Sequence, residues 1–154
     1  PFVIRYPRGK GVLHTKKQYE NIPIGKGRTI RNGEELAILS IGHVGNFVET
    51  AIDTPALKNH SIAHYDLRFL KPLDNNLLHK IFKKHKKIIT VEDGAINGGM
   101  GSAIIEFMTE HNYSASVKRL GIPDRFIEHG TPEKLYSECG FDTQHIMKEI
   151  SHYL

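Results

Sequence analysis

Leu36-Ala37-Ile38-Leu39-Ser40-Ile41 and Lys87-Ile88-Ile89-Thr90-Val91-Glu92 decide how this chain folds. Both are almost unbroken apolar runs, without the alternation of a strand wetted on one face. Such runs suit strands buried on both faces of a parallel sheet. Ile62–Phe69 reads as another strand, ending at Lys71-Pro72, and Ala115–Leu120 as the last. Helical spacing lies between them. Phe47, Val48, Ala51 and Ile52 predict a helix over 45–58, kinked or restarted at Pro55. Asp74 caps a predicted helix with Leu77, Leu78, Ile81 and Phe82 on its apolar face. A glycine-rich loop over 94–101 leads to a helix from Ser102 to about His111. Thr131-Pro132-Glu133 starts a helix that Gly140 ends, and Asp142 opens the final one. Strand–helix alternation of this kind gives βαβ units. The expected fold is α/β with three layers, a mostly parallel five-stranded sheet and one antiparallel edge strand. That edge strand is Ile24–Ile30, which ends in a hairpin-type turn at Asn32-Gly33.

The 154 residues fit one ordinary domain. At 39% apolar and 25% charged, the composition is that of a globular chain. No run of 18 apolar residues predicts a membrane helix. The single cysteine, Cys139, suits a reducing compartment, and no charged-then-apolar leader opens the chain, so the expected location is the cytoplasm. The opening Pro1 suggests a piece of something longer. A net charge of +4 is mild, and its densest run, Lys80–Lys87 (KIFKKHKK), reads as a solvated helix face running into a strand. Neither nucleic acid nor membrane is an expected partner.

The segment with most chemical promise is Val91-Glu92-Asp93-Gly94-Ala95-Ile96-Asn97-Gly98-Gly99-Met100-Gly101-Ser102, between a strand and a helix. Glycines allow close backbone approach and helix N-termini attract anions, so the loop could cradle a phosphate. It carries neither G-x-G-x-x-G nor Gly-Lys-Ser/Thr, and a structural βα loop is the plainer reading. His60 and His64 are four apart in an extended segment, which separates them by roughly 13 Å. No second cysteine or acidic cluster completes a zinc set, so no metal is expected. Cys139 lacks a cationic sequence neighbour that would make it a nucleophile. In Arg5-Tyr6-Pro7-Arg8-Gly9 two arginines flank a proline turn, a weak sign of phosphate or carboxylate binding.

Taken together and in order, several segments resemble one family. They are Arg5–Gly9 (RYPRG), Ile22–Gly27 (IPIGKG), Asp66–Asp74 (DLRFLKPLD), Val91–Ser102, and Gly121–Gly130 (GIPDRFIEHG). The chain resembles the C-terminal part of the 1-deoxy-D-xylulose-5-phosphate synthases, with a transketolase C-terminal-like domain over 22–154. Residues 1–21 would then be the end of the preceding pyrimidine-binding domain and a linker. The resemblance implies a homodimeric parent that uses thiamine diphosphate and Mg2+ to condense pyruvate with D-glyceraldehyde 3-phosphate, releasing CO2. It also implies that the cofactor is bound by upstream domains and that the fragment alone is inactive, serving structure and dimerisation. Of the family's active-site residues, only Arg8 carries over, as a contact to the phosphate of glyceraldehyde 3-phosphate. No catalytic residue is expected. Glu92, Gly98, Gly99 and Gly101 are expected to form an association loop with the Glu92-Asp93 pair exposed. The alternative is a free-standing α/β module that binds an anionic ligand at Gly94–Gly101.

Overall fold

The computed structural model describes residues 21–154 together with Pro1, Val3, Ile4 and Gly11. Two apolar layers sandwich the sheet, as the doubly buried strands require. The order of elements is β1 (Arg28–Arg31), β2 (Leu36–Ile41), a 3-10 turn (Gly42–Val44), α1 (Gly45–Ile52), β3 (Ile62–Asp66) and α2 (Asn75–Lys84). Then come β4 (Lys87–Ala95), α3 (Met100–Glu110), β5 (Ser116–Ile122), α4 (Pro132–Glu138) and α5 (Thr143–Tyr153). The sheet order is β1-β3-β2-β4-β5, parallel except for β1, which pairs antiparallel with β3 at the edge. The five-stranded mixed sheet is the expected one.

Alternate residues of each strand feed opposite layers. Leu36, Ile38, Ile89 and Val91 pack with Val48 and Ile52 of α1, Phe141, and Ile146 and Ile150 of α5. Ala37, Leu39, Tyr65 and Ile88 pack with Leu78, Ile81 and Phe82 of α2 and with Met100, Ile104 and Phe107 of α3. The predicted caps hold. Asp74 accepts from Leu77 N at 3.1 Å, and Asp142 from His145 N at 2.8 Å. Thr131 precedes Pro132 at the start of α4.

Several boundaries and one connection differ from the sequence reading. Helix α1 stops at Ile52 rather than continuing through Pro55, because a residue preceding proline is disfavoured in the helical region. Thr54 Oγ1 instead donates to Ala51 O at 2.8 Å. Strand β3 stops at Asp66, whose side chain accepts from Arg68 N at 3.0 Å and turns the chain through a left-handed Arg68 (φ 56°). Strand β4 runs past Glu92 to Ala95, where it pairs with the end of a longer β5, Ala95 opposite Ile122. Helix α3 starts at Met100 rather than Ser102. Strand β1 begins at Arg28, not Ile24, and Asn32-Gly33 is no hairpin, since β1 and β2 are not neighbours. The turn crosses the start of β3, so close that a Cβ on Gly33 would overlap the backbone of Ile62 and Ala63.

Candidate functional site

The β4–α3 loop is built from the strand's inward side chains. Thr90 and Glu92 share the face of β4 that looks toward α3, two residues apart. Glu92 is 5% exposed, and its Oε2 and Oε1 accept from Met100 N at 2.7 Å and Gly101 N at 2.8 Å. A carboxylate therefore sits on the positive end of α3. The glycines follow from that packing. A Cβ on Gly99 would overlap Glu92 Oε2 and Ala95 O, and one on Gly101 would lie 2.6 Å from Thr90 Oγ1 and 2.8 Å from Arg119 Cγ. Gly98 has φ +73°, and its N–H donates to Ser102 Oγ at 3.0 Å. Arg119 Nη1 donates to Ile96 O at 2.7 Å and Ser102 Oγ at 2.8 Å, which pins the loop to β5.

This geometry corrects one expectation. Glu92 is not exposed for a neighbouring chain, because its own helix takes both oxygens. It also fills the site that an anion would need: the Met100 and Gly101 amides are already bonded. Asp93, Gly94, Asn97 and Gly98 remain at least partly accessible.

A second constellation was not visible in the sequence. Ser40 Oγ lies 2.8 Å from His64 Nε2, and His64 Nδ1 lies 2.7 Å from Glu49 Oε1. Arg31 Nη2 adds contacts to Glu49 Oε2 at 3.4 Å and to Asp53 Oδ1 at 2.6 Å. Ser–His–Glu in line has the distances of a nucleophilic triad. Ser40 is 0% exposed and His64 1% exposed, so no substrate reaches the hydroxyl. The line ties β2, β3 and α1 together. The His64 hydrogen bond pulls the Glu49 carboxyl below its ordinary value against the opposing effect of burial, with the His64 and Arg31 charges assisting. No local pattern marks it, since strand register alone brings Ser40 beside β3.

The remaining candidates are scattered. Arg8 lies outside the described residues. His60 Nδ1 is 3.4 Å from Glu35 Oε2, well away from the role of His64, and the described residues contain no cluster of three or more metal-ligating side chains. His85, in the basic run, is buried beside Tyr65, with Nε2 3.3 Å from the hydroxyl. Burial, then the Lys84 charge, pushes its pKa down. Burial pushes the Cys139 thiol up, and Glu138 adds to that, while Arg125 opposes it. Among the described residues no helix is long and apolar enough to cross a membrane.

Doubly wound topology, the capped βα loop and the two buried layers define a class. The transketolase C-terminal domain model matches residues 25–146, and the chain belongs to that family. One solved relative, a split-gene transketolase described as an inactive beta4 tetramer, superposes with a TM-score of 0.79 over 88% of this chain and 44% of its own, at 24% identity, which speaks for the fold alone. More particularly, the chain is 55% identical over 151 residues to the 1-deoxy-D-xylulose-5-phosphate synthase of Cytophaga hutchinsonii and 53% identical over 152 residues to that of Bacteroides thetaiotaomicron. Each alignment covers 97% of this chain and 24% of the relative. The Vibrio vulnificus synthase is 42% identical over 155 residues, 100% of this chain and 24% of its own length. The chain thus spans about a quarter of the length of these curated relatives.

Proposed function

We propose that this chain is the C-terminal quarter of a synthase that joins pyruvate to D-glyceraldehyde 3-phosphate, giving 1-deoxy-D-xylulose 5-phosphate and CO2. The observation that carries the reading is 55% identity sustained over 97% of the chain with a protein of that name. Residues 1–21 close the preceding domain, and 22–154 form the transketolase C-terminal-like domain. The parent works in the cytoplasm as a homodimer. Its thiamine diphosphate and Mg2+ supply the activated carbanion chemistry. The residues described here do not fit the cofactor's diphosphate: the one glycine-rich loop that precedes a helix has its first-turn amides bonded to Glu92. The cofactor therefore belongs to upstream segments. This domain supports the assembly, with the Gly98-Gly99 corner and Asn97 meeting a neighbouring chain. Arg8 contributes a charge-assisted contact to the aldehyde's phosphate.

Three measurements test this. Calorimetric titration of the 154-residue chain with thiamine diphosphate and Mg2+ should show no micromolar binding, and such binding would sink the assignment of the cofactor to upstream domains. In the full-length protein Arg8→Ala should raise the apparent KM for glyceraldehyde 3-phosphate far more than for pyruvate. A charge-assisted contact is worth about 1.5–3 kcal/mol, or roughly 10- to 150-fold in kcat/KM. Equal effects on both substrates would make Arg8 structural. A full-length protein without synthase activity would overturn the whole reading.

A further inference from the structure

The chain enters the domain at one end of the sheet. Gly25 packs on Pro72, so closely that a Cβ there would lie 2.7 Å from Pro72 Cγ. Lys26 Nζ and the Gly27 N–H reach the Asp74 carboxylate at 3.5 and 3.3 Å. Arg28 then opens β1 opposite Asp66, the last residue of β3. Because β2, β3, β4 and β5 run parallel, all four finish at that end. Three of the large apolar side chains that the described residues expose are found there. Ile22 and Ile24 belong to the entering segment, and Phe126, which is fully exposed, follows the end of β5. The charges on either side of Phe126 are answered within the domain. Asp124 Oδ2 accepts from Asn97 Nδ2 at 3.3 Å, and Arg125 Nη2 lies 2.9 Å from Glu138 Oε1. Ala95, Ile122 and Pro123 line a groove of about 470 Å3 beside the ring. One exposed apolar residue is ordinary on a protein surface. An aromatic ring beside an apolar groove, with its neighbouring charges already paired, has the make-up of an interface anchor.

We propose that this end of the sheet is a docking face for the part of the longer protein that precedes Pro1 in the same subunit, with Phe126 as its anchor. The inference rests on the reading of the chain as the C-terminal quarter of a longer protein: the match covers 24% of each relative, and that reading places the rest ahead of Pro1. The preceding part is tethered through Ile22–Gly27, which Asp74 fastens to this end. A tether of that kind raises the local concentration of the attached body at the face where it is fastened, an advantage that a second copy of the chain lacks. β3 and β5 stand three strand spacings apart, about 14 Å. Covering both Ile24 and Phe126 therefore takes a body of domain size.

Photocrosslinking tests it in the full-length protein carrying Phe126→p-benzoylphenylalanine. Irradiation should join position 126 to a peptide from ahead of Pro1, in a product of single-subunit mass on a denaturing gel. A product of double mass would assign the face to the partner subunit, and the absence of any crosslink to a peptide ahead of Pro1 would leave the face in solvent. Either result overturns the proposal. Chymotrypsin gives a second readout without a substitution. The bond after Phe126 should be cut in the 154-residue chain, and that cut should be lost in the full-length protein, with the site identified by mass. A cut in both, or in neither, overturns the proposal. Synthase activity of the unsubstituted full-length protein reports on the parent reading alone. Activity without the crosslink removes the docking face and keeps the synthase, whereas the crosslink without activity does the reverse.

Discussion

The Glu92 carboxylate stands where a Cβ on Gly99 would have to be. Gly99→Ala must therefore push the carboxylate off the Met100 and Gly101 amides, which leaves buried polar groups unpaired at about 1–3 kcal/mol. Gly98→Ala is the control: it meets no atom within 4 Å but places alanine at φ +73°, a cost of roughly 1–2 kcal/mol. Urea unfolding should rank Gly99→Ala as the more damaging, with Glu92→Ala close to it. If Gly98→Ala costs as much, backbone conformation and not the carboxylate governs this corner. It also follows that bulk at Gly99 damages the domain itself, so association between chains is better probed at the exposed Asn97. In the homodimer proposed for the full-length protein, Asn97→Arg should shift the equilibrium toward monomers in sedimentation.

One hydroxyl on the same face has no partner among the described residues. Thr90 Oγ1 is buried and makes no hydrogen bond among the described residues. Thr90→Val keeps the shape and removes the polar atom, so it should be neutral or stabilise by about 1 kcal/mol. A loss above about 1 kcal/mol would reveal a hidden partner, and the unfolding midpoint decides.

Acid should weaken the fold in two stages. Burial holds the His85 pKa below its ordinary value. Below about pH 6.5 the unfolded chain takes up a proton that the folded one resists, so stability falls as pH drops toward the lowered folded value. Glu49 acts lower. Its His64 hydrogen bond depresses the carboxyl, so its contribution is complete above roughly pH 5 and is lost as pH falls through the folded value. His85→Phe should remove the upper stage and Glu49→Gln the lower in unfolding measured across pH. A profile unchanged by either substitution would assign the acid response to other groups.

Cys139 should be a poor nucleophile. Its raised pKa leaves little thiolate at neutral pH. Alkylation by iodoacetamide should run slower than for a cysteine in an unstructured peptide. Denaturant should abolish the difference, and a native rate equal to that of the peptide would contradict the shift.

Much of the fold was legible because its signals are local. LAILSI and KIITVE announce doubly buried strands, Asp74 and Asp142 announce caps, and alternation fixes the parallel sheet. What escaped depends on partners distant in sequence. The turn at Asn32-Gly33 looks like a hairpin until β3 takes the place beside β1. Glu92 looks like a surface acid until α3 begins two residues early and places its amides against it. Ser40, Glu49 and His64 carry no common spacing, and only the β2–β3 register with α1 above it makes them one network. That Ile24 and Phe126 share one end of the sheet likewise appears only once strand direction is known.

Strand β1 has a consequence for the order in which the domain is made. It is synthesised first, yet its strand partner is β3, with β2 and α1 made in between. On the ribosome it leaves the exit tunnel before its partner β3, and the Gly33 crossing cannot close until Ile62 and Ala63 have emerged. During that wait its row of bare amides is open to any other strand nearby. Arg28 and Arg31 keep it charged until Asp66, and Glu49 with Asp53, arrive to receive them. The two arginines that clamp the finished edge are thus also the charges carried by the unfinished one.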